Sequence, residues 1–353
     1  MKKLGAFSLW LAAVAASLPA AAAGLRPPMV DAKTELAIKR GLEFLAQVQH
    51  KSGSWSGGTG YGASYEAAMT GLAGVALLSS GSTPTRGPYA KNIRLAIRWV
   101  LRQQQATGLI CSMGEESRSM YGHGFCTLFL AECLGTTGSR SLELRIRKAL
   151  QKAIKLTEGS QSDLGGWIYT PSQNSDEGSV TVTQVQALRA CQMAGVQVNR
   201  KVMEKAYGYL KKAQCKDGGI AYSARQRGRG GSRPALGAAA LTCLYSAARY
   251  DSPVTKGVEK YILNRYKKMM RKGGHFYYTQ LYLSEALYQH GGKPWRDHYP
   301  RIRKWLLANK VEKKVGGVPT YAWQGDNVGL TYGTSIALIV LQLPYGYLPV
   351  LQK

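Results

Sequence analysis

Four stretches of this sequence align with one another in register, and a chain built from such copies folds by stacking them. Arg40-Gly41-x-x-Phe44-Leu45 leads to Gln49, Gly53 and Trp55. Leu95-Ala96-x-x-Trp99-Val100 leads to Gln104, Gly108 and Ile110. Lys152-Ala153-x-x-Leu156-Thr157 leads to Gln161, Gly165 and Trp167, and Lys205-Ala206-x-x-Tyr209-Leu210 to Gln214, Gly218 and Ile220. Two weaker copies follow, at Tyr261-Ile262 with Gly273-Gly274 and at Trp305-Leu306 with Gly316-Gly317. Successive copies lie roughly 44 to 57 residues apart, a period that suits a helical hairpin.

Each copy begins with a basic amphipathic segment, such as Leu144–Leu156 or Val254–Met270, whose apolar residues recur three and four apart. A glycine-rich loop ends it. An almost uncharged segment comes next: Ala63–Leu78, Phe125–Leu134, Val180–Met193, Pro234–Ala248, Tyr277–Tyr288 and Tyr332–Leu343. A helix with a charged face lies outside, and one that is apolar all round is buried. The expected fold is therefore all-α: an (α/α)6 toroid of six helical hairpins, with concentric inner and outer helices and little or no sheet. Six hairpins that close on themselves need no capping repeats. In the loops, Gln is expected to bond backbone groups at the end of the outer helix, Gly to take positive φ, and Trp or Ile to plug the gap between hairpins.

The ends of the chain fit this division. Lys2 and Lys3, the apolar run Leu4 to Leu18 and the small residues Ala20 to Ala23 have the order of a signal peptide, 1–23, which leaves one toroid domain over 24–353. The expected location is secreted or periplasmic. The net charge is +27, which fits either an anionic partner or a solvated basic surface. Secretion makes nucleic acid an unexpected partner and leaves anionic lipid, an isoprenoid or an acidic glycan, with peripheral membrane contact. Cys133, Cys191 and Cys243 sit in small-residue helical runs as buried thiols, whereas Cys111 and Cys215 lie in loops where a bridge could form. No Cys/His spacing suits a metal, and nothing in the sequence calls for a cofactor.

The phrase (Lys/Arg)-(Gly/Ala)-x2-aromatic-aliphatic-x3-Gln-x3-Gly-x-Trp resembles the QW motif of squalene–hopene and oxidosqualene cyclases. Arg40–Trp55 fits it throughout, Lys152–Trp167 departs at Leu156 and Thr157, and the other two copies end in Ile. The chain also resembles a bacterial group of secreted single-toroid proteins with prenyltransferase or squalene-oxidase repeats, through Met120-Tyr-Gly-His-Gly-Phe125, Gly178-Ser-Val-Thr181 and Tyr345-Gly-Tyr-Leu-Pro-Val350. The resemblance implies a terpenoid-cyclase-like scaffold. It does not bring the chemistry with it. The Asp-x-Asp-Asp acid of class II terpene cyclases is absent, as is the Asp-x-Cys zinc pair of protein prenyltransferases, and Tyr278 stands where their zinc-binding His would be. The Gly-Cys-Gly-Glu-Gln segment of thioester toroids is absent too.

In such a toroid every inner helix starts at the same end. Six free helix starts would make that mouth an anion site, to which Arg225, Arg227, Arg229 and Arg233 of the fourth loop would add charge. Tyr121, His123, Tyr278 and Trp323 are candidate ligand contacts there, in a wider aromatic group with Tyr61, Tyr65, Tyr277, Tyr321 and Tyr332. Loop packing would explain the same aromatics. The candidates for acid/base work are Asp176, Glu177 and His123, of which His123 equally suits a structural hydrogen bond. His275 reads as structural. Glu132 and Glu285 occupy matching places in their inner helices, with Arg189 as the expected partner. The expected function is binding of an anionic or hydrophobic cell-envelope ligand at a basic, aromatic mouth. The alternative is an enzyme acting on an isoprenoid or glycan through Asp176, Glu177 or His123.

Overall fold

A computed structural model describes residues 26–58, 65–271 and 273–352 of the chain. The proposed signal peptide and Tyr61 lie outside the described residues. Among the described residues, twelve α-helices alternate between two layers. The outer ones are α1 (Ala32–Val48), α3 (Ala90–Gln103), α5 (Arg140–Gly159), α7 (Arg200–Ala213), α9 (Pro253–Leu263) and α11 (Gly292–Ala308). The inner ones are α2 (Glu66–Leu78), α4 (Ser119–Cys133), α6 (Gly178–Met193), α8 (Pro234–Ser246), α10 (Phe276–His290) and α12 (Leu330–Gln342). Each inner helix packs on the next, and α12 packs back on α2, which closes the ring. The fold is an all-α toroid.

The repeated Gln–Gly–Trp residues join one hairpin to the next. Gln161 Nε2 donates to Gly165 O of its own loop (3.0 Å) and to Val202 O of the following outer helix (2.9 Å). Gln49, Gln104 and Gln214 make the same pair of bonds, to Asn92, Ala149 and Val254 of the following outer segment. Each glutamine thus divides its bonds between its own loop and the neighbouring repeat, not the end of its own helix. Gly53, Gly108, Gly165 and Gly218 have φ between +87° and +104°, and each abuts a carbonyl of the next repeat, so a Cβ would fall 2.2–2.5 Å from that oxygen. Trp55, Trp167 and Trp323 are fully buried and donate through Nε1 to Leu45 O, Thr157 O and Leu306 O of their own outer helices.

Two local features differ from the sequence expectation. Helix α4 starts at Ser119, earlier than expected, because Gly122 and Gly124 serve close packing instead of a turn: a Cβ at Gly122 would meet Ala67 at 2.9 Å, and one at Gly124 would meet Thr183 at 2.5 Å. In the sixth repeat an antiparallel hairpin, β1 (Val311–Val315) and β2 (Val318–Ala322), turns at Gly316-Gly317 and packs on α1. Those glycines therefore form a hairpin turn, and the repeat's clamp passes to Trp323. All six cysteines are free thiols, so Cys111 and Cys215 are unbridged.

After α12 the chain crosses the far end of the inner ring. Leu348, Val350 and Leu351 are buried, and the Pro349–Leu351 turn packs on α6. Glu132 lies against the Val350 backbone, and burial pushes its carboxyl up to about 7. Glu285 accepts from Gln186 Nε2 at 2.9 Å, and burial pushes it up to about 8. Neither carboxyl pairs with Arg189, which donates to Gln192 Oε1; burial favours the protonated acid, which needs no cation.

These shifts set a pH dependence. A carboxyl whose pKa is raised in the fold contributes stability below its unfolded pKa and loses it as pH rises through the folded one. Glu115 and Glu132 (about 7) and Glu285 (about 8) act in this sense. His123 and His298, pushed down by burial to about 4 and about 3, contribute above the ordinary histidine pKa and lose stability as pH falls. Between pH ~6.5 and ~8 the three carboxyls outweigh the two histidines and set the sign. The melting temperature therefore falls across that window, and Glu285→Gln removes on the order of 1 kcal/mol of the change. A thermal-melt series in matched ionic strength reads it; an identical slope in parent and variant contradicts it.

Candidate functional site

The inner-helix starts surround a cavity of about 1830 Å³. Within the first two turns of the helices its lining is apolar at Ala68, Met69, Leu72, Phe125, Leu281 and Ile336. Phenol rings line the wall, from Tyr65, Tyr121, Tyr169, Tyr222, Tyr278 and Tyr332. Cations reach it from Arg118, Arg233, Arg265, Lys268 and Arg271, and carboxylates from Glu177 and Asp326.

Four of the six helix starts are not free, which corrects the expectation of an anion site made of six open helix ends. Glu115 accepts from Ala67 N (3.1 Å), Ala68 N (3.2 Å) and Ser112 Oγ (2.6 Å) and so caps α2 from the neighbouring loop. Glu177 caps its own helix, accepting from Val180 N at 2.9 Å. Asp326 accepts from Phe276 N (3.0 Å) and Tyr277 N (3.3 Å) at the start of α10. Met120 N at the start of α4 donates to Tyr169 O. Carboxyl oxygens that accept from helix N-termini occupy the N–H groups an anion would otherwise bind, so attraction of an anion falls mainly to the arginine and lysine side chains.

Glu177 belongs to a chain of polar groups along one wall. Its Oε2 accepts from Ser179 Oγ at 2.5 Å, and Ser179 Oγ lies 2.6 Å from Tyr121 Oη. Burial raises the Glu177 carboxyl above its usual range and raises the Tyr121 phenol further from titration. Beside them Tyr169 and Tyr222 share a hydroxyl–hydroxyl bond, and the Arg118 guanidinium sits 5.1 Å above the Tyr169 ring. The wall can donate and accept hydrogen bonds to a polar ligand group and can hold a proton at Glu177.

The sequence candidates separate accordingly. Tyr121, Tyr278, Glu177 and Arg233 line the cavity. Asp176, though adjacent to Glu177, points into the fourth loop, where it accepts from Ser223 Oγ (2.6 Å) and Ala224 N (2.9 Å) and pairs with Arg225 Nε at 3.2 Å. Arg225 also pairs with Asp163. Arg227 and Arg229 are exposed on the same loop. His123 is fully buried in a clamp: Ile110 N donates to its Nδ1 (3.2 Å), and Nε2 lies 2.9 Å from Thr157 Oγ1. It takes the place that Thr70, Thr181 and Thr334 hold beneath Trp55, Trp167 and Trp323, so it is a packing residue and not an acid/base group. Trp323 is fully buried in the sixth clamp and makes no part of the cavity surface. His275 lines the cavity and occupies the left-handed region, with φ +62°. Glu66 accepts from Ser54 Oγ, away from the Glu177 wall.

Glu115 escapes sequence reasoning, although its position just ahead of an uncharged inner helix is the signal that Glu177 and Asp326 share. The described residues contain no His/Cys/Asp/Glu group arranged to hold a metal ion.

Because Asp176 is buried, Arg225 contributes to stability as well as to surface charge. Arg225→Gln is expected to cost about 1–2 kcal/mol, below the ~3–5 kcal/mol of a fully buried pair, since the guanidinium is partly solvated. Urea denaturation reads this; a midpoint unchanged from the parent contradicts it.

No family model matches the chain, and no curated protein matches it. Solved structures do. An inactive variant of an α-1,6-mannanase of Salegentibacter sp. HEL1_6, in complex with α-1,6-mannotriose, has a TM-score of 0.60 at 8% identity over 88% of this chain and 98% of that one. A D-mannose isomerase has a TM-score of 0.60 at 13% identity, covering 90% and 99%. The type II terpene cyclase MstE from Scytonema has 0.57 at 14%, covering 90% and 99%. Likeness at such identity is a likeness of fold, and it places this chain among the α/α toroids.

Proposed function

We propose that the protein binds an anionic amphiphile, with its chain in the apolar depth of the cavity and its head among the mouth cations. The observation that carries this is the order of chemistry along the inner helices around one cavity: Leu72, Phe125, Leu281 and Ile336 lie one to two turns in, Tyr121, Tyr278 and Tyr332 in the first turn, and Arg233, Lys268 and Arg271 ahead of the helices. At about 1830 Å³ the space exceeds the ~300–1,000 Å³ of ordinary small-molecule pockets, which suits a long chain such as a polyisoprenoid. The QW-like clamps support grouping the protein with cyclase-type toroids without supplying their acid.

An enzymatic reading rests on Glu177, a carboxyl raised by burial beside a cavity that Asp326 also lines, in a fold that mannanase, isomerase and cyclase neighbours share. Glycoside hydrolysis by paired carboxylates uses two such groups across one bond; Asp176, the adjacent acid, faces the fourth loop instead, and Asp326 is engaged by Phe276 N and Tyr277 N at the start of α10. Binding is therefore favoured. Native mass spectrometry of protein purified without detergent tests it: the reading expects an adduct that fragments to an anionic amphiphile. An oligosaccharide adduct supports the enzymatic reading instead.

A further inference from the structure

We propose that the mouth docks on an anionic lipid surface through loops 222–233 and 264–275, together with Met113. This rests on the amphiphile reading and adds where the ligand is taken from. The two loops contain nine basic residues and not one acidic residue. Both reach the mouth, since Tyr222 and Arg233 of one and Lys268 and Arg271 of the other line the cavity.

Ion pairing inside the protein uses only part of this charge. Arg225 is taken by Asp163 and Asp176, and Arg265 lies 3.8 Å from Asp217. Arg227, Arg229 and Lys267 are exposed, lie outside the cavity lining and have no carboxylate partner among the described residues. Across the mouth, Met113 is 94% exposed. Its loop is tied to the α2 start by the bonds of Ala67 N and Ala68 N to Ser112 and Glu115.

Unpaired cations alone would suit any polyanion. An exposed apolar side chain on the same rim suits a surface with both anionic heads and hydrocarbon beneath them. Each cation near such a surface strengthens binding roughly fivefold, and apolar side chains add to this by entering the headgroup layer.

The test is sedimentation with phosphatidylcholine vesicles, with and without phosphatidylglycerol. Binding is expected only with phosphatidylglycerol, and it weakens as salt rises. The variant Arg227→Gln/Arg229→Gln/Lys267→Gln should bind about a hundredfold more weakly, and Met113→Asp should bind more weakly than the parent. Titration of either variant with a short-chain anionic amphiphile below its micelle concentration should match the parent, because none of these residues lines the cavity. Failure of the parent to sediment with phosphatidylglycerol vesicles at low salt overturns the proposal. So does binding to polyglutamate as tight as to vesicles and indifferent to Met113→Asp, which assigns the rim to an acidic polymer. Loss of amphiphile binding in the triple variant also overturns it, by making those cations part of the ligand site. If the parent sediments but no amphiphile titrates, docking stands and the cavity reading fails.

Discussion

Gly165→Ala is expected to destabilise the toroid by about 3 kcal/mol or more, a large loss for the addition of one methyl group. Gly165 has φ +103°, a conformation that costs an L-residue about 1–2 kcal/mol. The new methyl would also fall 2.2 Å from Lys205 O, so two repeats must separate, and overpacking of this kind adds roughly 1–3 kcal/mol. Separation stretches the Gln161 bonds to Gly165 O and Val202 O and loosens the seat of the buried Trp167. Gly135 is the control. Its φ is +87°, but nothing lies within 4 Å of a Cβ there, so Gly135→Ala should cost only the conformational part. Urea denaturation of both variants reads the difference. Equal losses would mean that the glycine serves its turn alone and that the clamp between repeats contributes little.

That clamp explains why the fold is legible in the sequence and much of the site is not. Gln49, Gln104, Gln161 and Gln214 recur because each ties a loop to the next outer helix, so a structural demand is written as a period. The uncharged inner segments are equally direct, because burial on all sides excludes charge from the sequence. A binding surface leaves no such period. Tyr278 and Trp323 look alike in sequence, both aromatic and both near an inner-helix start, yet one lines the cavity and the other is fully buried in a clamp. His123 looks like an acid/base group but replaces a threonine beneath Ile110. Asp176 and Glu177 are neighbours whose side chains part because backbone direction alternates ahead of a helix, one toward Ser223 and the other toward the cavity. The helix starts read as open to an anion in sequence because a trans cap such as Glu115 comes from another repeat's loop, 47 or 48 residues away along the chain. The sixth repeat departs from its expected form for a related reason: an inserted hairpin displaces Trp323 from the regular spacing, and Gly316-Gly317 serves the inserted turn.

Ala235→Trp is expected to abolish amphiphile binding while leaving the toroid folded. Ala235 lies in the first turn of α8, is half-buried and lines the cavity beside Arg233 and Leu236. An indole there enters open space, not packed core, so stability changes little. It occupies the passage between the mouth cations and the apolar depth, which a bound amphiphile must thread. A ligand confined to the rim would lose far less. The affinity of a long-chain anionic amphiphile should therefore fall about a hundredfold or more, the loss of most of the apolar burial at roughly 25 cal/mol per Å². Thermal melts of the variant check that it is folded.

The most direct measurement is a paired titration of the detergent-free protein with a fluorescent long-chain anionic amphiphile and an uncharged analogue of the same chain length. The account predicts saturable binding of the anionic probe, binding of the uncharged analogue weaker by about tenfold or more for want of charge-assisted contacts, and loss of both in Ala235→Trp. Saturable binding of neither probe by the parent, or equal binding by parent and variant, would contradict it.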